Sequence, residues 1–102
     1  MIANNVTKVS ELTVTDLMNY AHEYSDDPET IKLFTTLLIT SKGFVRSYTG
    51  LSDEQMDLIP DLIIAVKIIA NELYDNRAMT VQNEKVNPVV KTILDMHSIN
   101  LL

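Results

Sequence analysis

The residues of this 102-residue chain best able to do chemistry near neutral pH are its two histidines, His22 and His97. His22 is followed by Glu23, Asp26 and Asp27. His22 and Asp26 are four residues apart and would share a helix face, as a metal site needs. Asp27-Pro28 breaks a helix at that point, however, and no second histidine lies nearby. The expected state of His22 is a solvated helix end. His97 stands near the C-terminus with no carboxylate positioned beside it by sequence, and neither Gly43 nor Gly50 sits in a nucleophile elbow or a phosphate loop. There is no cysteine, which removes thiol nucleophiles, thiolate zinc sites and disulfides together. A serine–histidine–aspartate site assembles from distant residues, but two histidines give it little to work with. The sequence therefore predicts no catalytic residue, no metal site and no cofactor, and a protein that acts by assembling with other chains.

Composition narrows the partners. The formal charge is −6, and the eight basic residues are scattered with no two adjacent. A duplex-binding surface needs clustered Lys and Arg to displace phosphate counterions, so sequence-specific DNA binding is not expected. An acidic wall repels the backbone and lets DNA slide past. The opening Met1-Ile2-Ala3-Asn4-Asn5 lacks the basic stretch and apolar run of a signal peptide. The apolar stretch 58–70 is interrupted by Pro60, Asp61 and Lys67 and is too short to span a bilayer. The chain is expected to be soluble, made in the cytoplasm and without membrane contact.

The elements that would position any surface are helical. Two Gly and three Pro are too few for an all-β fold with its many turns, and 46% apolar residues are enough for a core. Thr13-Val14-Thr15-Asp16-Leu17 opens a first helix, with Leu17, Tyr20, Ala21 and Tyr24 at helical spacing over about 15–24. Asp27 and Pro28 cap and start a second helix over about 28–48, stopped by Gly50. Ser52-Asp53-Glu54-Gln55 starts either a short turn that restarts at Pro60 or a helix kinked there. The third helix reaches over about 58–78, with Ile59, Leu62, Ile63, Val66, Ile69, Ala70 and Leu73 as its core stripe. Asn87-Pro88 starts the last, over about 88–96. The predicted fold is all-α: one domain over 1–102, a compact bundle of three to four helices. A flexible arm at 1–11, a loop at 79–87 and an apolar tail at 97–102 complete it.

Two isoleucines break the third helix's pattern. At 100° per residue Ile64 and Ile68 point away from the stripe, into a sector of Asp61, Asn71, Glu72 and Asp75. Either the fourth helix or the arm covers them, or another subunit does. A buried isoleucine is worth about 1.5–3 kcal/mol, so leaving both wet is a poor arrangement. Ile39 makes a similar but weaker case on the second helix. Arg77 either caps the carbonyls ending helix three or holds a carboxylate such as Asp75 of a neighbour. Ile64, Ile68, Asp75 and Arg77 are the candidate subunit interface.

Taken in order, Val14-Thr15-Asp16-Leu17, the acidic break Asp26-Asp27, Tyr48-Thr49-Gly50 ending helix two and Leu73-Tyr74-Asp75-Asn76-Arg77 ending helix three form a pattern. Over about 12–96 it resembles the head–tail connector (adaptor) family of long-tailed bacteriophages, also labelled DNA-packaging proteins. The resemblance implies a helical subunit of the virion's head–tail interface, monomeric when free, that forms a ring, twelve-fold, beneath the portal protein. The ring extends a channel through which DNA only passes, and offers a docking surface to a stopper or tail-completion protein. It implies no catalytic residue and no cofactor. On this reading Met79, Val81 and Val86 of the loop and Ile99, Leu101 and Leu102 of the tail are candidate docking residues. One departure concerns the last helix: similar proteins often place a basic residue after its leucine pair, whereas Ile93-Leu94 is followed here by Asp95-Met96-His97. The alternative reading is a small helical regulatory module, antitoxin-like or transcription-associated, working as a stable dimer.

Overall fold

The computed structural model describes residues 6–76 and 87–99. Its helices are α1 (Val14–Tyr20), α2 (Pro28–Thr49), α3 (Asp53–Met56), α4 (Asp61–Asp75) and α5 (Pro88–His97), preceded by a 3-10 turn at Val9–Glu11. Among the described residues there is no strand, and the all-helical bundle expected from the sequence is what the chain forms.

The starts follow their local chemistry. Thr13 and Asp16 form a reciprocal capping box at α1, and Ser52 and Gln55 form another at α3. Asp27 accepts from the Glu29 amide ahead of Pro28, and Asn87 accepts from the Val89 and Val90 amides ahead of Pro88. Gly50, at φ 76°, turns left-handed and ends α2.

α2 and α4 make the most extensive contact, and the other helices pack around that pair. One core cluster gathers Val45 of α2, Leu62 and Val66 of α4, and Val90 and Leu94 of α5. A second joins Leu17 and Met18 of α1 to Phe34 and Leu37 of α2 and Ala70 of α4, with Leu38 against both.

Three boundaries differ from the sequence reading. α1 stops at Tyr20, not near residue 24. The Glu23 amide donates to the Met18 carbonyl and the His22 amide to the Asn19 carbonyl, with His22 at φ 59°. That is a Schellman stop with histidine in the position glycine usually takes, and no glycine marks it in the sequence. Tyr20 and Tyr24 are consequently exposed. The segment opened by Ser52-Asp53 divides, the first of the two alternatives: α3 is a separate turn, and the long helix starts after Pro60, at Asp61 and not near residue 58. The arm is docked rather than flexible over its described part, 6–11. Val9 is 2% exposed and lies in the first core cluster beside Leu12, and the Ser10 amide donates to Asp57 Oδ1 at 2.9 Å.

Candidate interaction surfaces

The four candidate interface residues do not behave alike. Ile64 is 38% exposed on the face of α4 turned away from the core, with Asp75 exposed on the same side. Ile68 is half-buried and packs against the core cluster that includes Val9, Val45, Val90 and Leu94, so it is covered from within the chain. Arg77 lies outside the described residues, as do Met79, Val81, Val86, Leu101 and Leu102. Ile99 is 56% exposed, its side chain presented while its backbone is held: its amide donates to the Thr49 carbonyl at 2.8 Å.

That amide bond belongs to a set of ties between the end of α2 and α5. Ser98 Oγ donates to the Tyr48 carbonyl, and the Tyr48 hydroxyl donates to Asp95 Oδ1 at 2.7 Å. Lys91 pairs with the other oxygen of Asp95, also at 2.7 Å and one helical turn away. The Lys91 hydrogen bond, then that of Tyr48, holds the Asp95 carboxyl below the usual carboxylate range. The same bonds raise Lys91 and Tyr48 above their ordinary values. At the other end of α5, Asn87 Nδ2 donates to Glu72 Oε2 at 2.7 Å, fixing the helix start to α4. α5 is thus pinned at both ends. Outward it presents Val89 and Met96, seven residues apart on one side of the helix, with Ile99 just beyond.

The histidines lie in different settings. His22 Nδ1 meets the Tyr24 hydroxyl at 3.1 Å. His97 Nε2 stands 3.5 Å from Asp61 Oδ2, a separation that serves an ion pair when the ring is protonated but gives no hydrogen bond. Among the described residues no group of three His, Cys, Asp or Glu is placed to hold a metal ion. No described helix is long and apolar enough to cross a membrane.

Two surface grooves lie among the described residues. One runs between the N-terminal turn and α2–α3, lined by Ser10, Lys42, Arg46, Asp53 and Asp57 over Val9 and Met56. Its charges are largely used internally. Arg46 bridges to Asp53 at 3.1 Å, and the Ser10 amide holds Asp57 below the usual carboxylate range. The other lies at the corner between α1 and α2, lined by Val14, Met18, Glu23, Tyr24, Asp26 and Ile31 among others. Sequence reasoning missed it because it depends on where α1 stops. The stretch 9–31, with six acidic residues and no Lys or Arg, was the available signal. No family model, curated protein or solved structure matches the chain.

Proposed function

We propose that this chain is a structural assembly subunit, a head-to-tail connector of a long-tailed bacteriophage particle. In this reading it docks as a ring under a portal, extends the DNA channel and provides the attachment surface for a stopper or tail-completion protein. The observation that carries the reading is α5 and the residues after it. A helix tied at both ends to the body of the domain leaves Val89, Met96 and Ile99 exposed on its outer side. Apolar side chains held on a rigid element suit a partner surface, because little ordering cost remains to be met on binding. Ile64 and Asp75 on α4 supply a second exposed strip for a neighbouring subunit. The excess of acidic residues suits a channel through which DNA slips without sticking. The ordered motifs from Val14-Thr15-Asp16-Leu17 to Leu73-Tyr74-Asp75-Asn76-Arg77 point the same way.

The test is light scattering on the purified chain, alone and mixed with a portal assembly. The connector reading expects a monomer that joins the portal in ring stoichiometry. A Met96→Gln/Ile99→Ser variant is expected to stay folded but lose the portal. A stable dimer indifferent to the portal would refute the reading and favour the regulatory module.

A further inference from the structure

The corner where α1 gives way to α2 holds an open groove of about 310 Å³. Val14 and Met18 from α1 and Ile31 from α2 give it an apolar lining. Tyr24 stands at its side, 72% exposed, and Glu23 and Asp26 bring carboxylates to its edge. Among the described residues no Lys or Arg lines it. The surrounding stretch 9–31 carries six Asp and Glu and no Lys or Arg, so all eight basic residues of the chain lie elsewhere in the sequence.

The edge is also built. The left-handed turn at His22 ends α1 early and sends 23–27 alongside the groove instead of continuing the helix. The Tyr74 hydroxyl donates to Glu23 Oε1 at 2.6 Å, and Tyr74 packs on Phe34 with ring centroids 4.7 Å apart. Tyr24 meets His22 through its hydroxyl. The carboxylate and the aromatic ring are therefore fixed before anything binds, which lowers the ordering cost of docking.

We propose that this groove is the docking site for an apolar segment of another protein that carries a lysine or arginine. The partner's aliphatic side chains seat on Met18 and Ile31. Its cation lies between Glu23 and Asp26, against the face of Tyr24, where ring and carboxylates attract it together. The negative edge selects against the competing occupants: a second copy bringing the same face, or a nucleic acid bringing phosphates, meets like charge. The inference does not depend on the connector reading.

The test uses the whole chain and a fluorescein-labelled amphipathic peptide of leucine, alanine and arginine. Two matched peptides carry glutamate for arginine, or serine for leucine. Binding is followed by anisotropy and by amide chemical shifts. The arginine peptide is expected to saturate, with shifts concentrated at 14–31, and to weaken as salt rises. Tyr24→Ala and Ile31→Ser should each weaken it by about fivefold or more, as side chains central to an interface do. The exposed Asp26→Asn change should weaken it by about two- to fivefold, a rim-charge effect. Equal binding of the glutamate or serine peptide, shifts centred on α5, or no saturable binding would each overturn the proposal. So would concentration-dependent shifts at 14–31 without peptide, which would make the occupant a second copy.

Discussion

Ser41 lies in the middle of α2 with no exposed surface, and its hydroxyl has no hydrogen-bond partner among the described residues. Its neighbours in kind behave differently. Thr35, Thr36, Thr49 and Thr92 each donate to the carbonyl four residues back, at 2.8–3.3 Å. Replacing Ser41 by alanine removes an unsatisfied buried polar group, whose cost is about 1–3 kcal/mol. It also improves helix propensity by about 0.5 kcal/mol. Against this stands the void left by one oxygen, about 0.3 kcal/mol at the usual cavity cost. Serine in a helix commonly bonds the carbonyl four residues back, so a reorientation of the hydroxyl would forfeit part of the gain. The expected net is a stabilisation of about 1 kcal/mol, which raises the melting temperature by about 4–8 °C in a domain of this size. Urea and thermal unfolding followed by far-ultraviolet circular dichroism measure it. Thr49→Ala is the paired control: its hydroxyl donates to Val45 and accepts from the Leu51 amide, so its loss should destabilise by about 1–2 kcal/mol. If Ser41→Ala instead destabilises as much as Thr49→Ala, the Ser41 hydroxyl is satisfied and the reasoning is wrong.

His22→Gly should stabilise the chain by about 0.5–1 kcal/mol, since glycine takes the left-handed position at little cost; an unchanged or lower melting temperature would show that the contact with Tyr24 outweighs the backbone gain. Val9→Ala should destabilise by about 2 kcal/mol if the N-terminal turn is docked as described, whereas a loose arm would leave unfolding unchanged. Acid should act through Asp57 and Asp95. Both folded pKa values are depressed, so each group contributes stability above the unfolded carboxylate value near 4 that is lost as pH falls through the folded value. An Asp57→Asn/Asp95→Asn variant should show a flatter acid limb in a pH series of unfolding curves, and an unaltered limb would contradict the assignment. Tyr48 has the opposite sign: its folded pKa is raised, so its contribution is complete below the unfolded value near 10 and is lost as pH rises through the folded value. Tyr48→Phe should remove that alkaline dependence from the same curves.

The sequence by itself determined the fold class and most helix starts. Capping is a local matter: Thr13, Asp27, Ser52 and Asn87 each meet amides two or three residues on, and Pro28 and Pro88 fix the first turn. The end of α2 was equally legible, because Gly50 declares a left-handed stop. The end of α1 was not. A histidine holds that position, and what keeps it there includes Tyr74 of α4 gripping Glu23 from 51 residues away. The same division runs through the surface. Periodicity placed both Ile64 and Ile68 outside the main stripe, but an angle on a helical wheel does not say which neighbour stands there. The packing of the first core cluster covers Ile68 and leaves Ile64 open. The docking of Val9 depends on a gap bounded by elements from across the chain, which no local pattern encodes. The groove at the α1–α2 corner was half visible: its charge was written in the run from 9 to 31, while its shape waited on the early stop of α1 and the tertiary contacts that hold it.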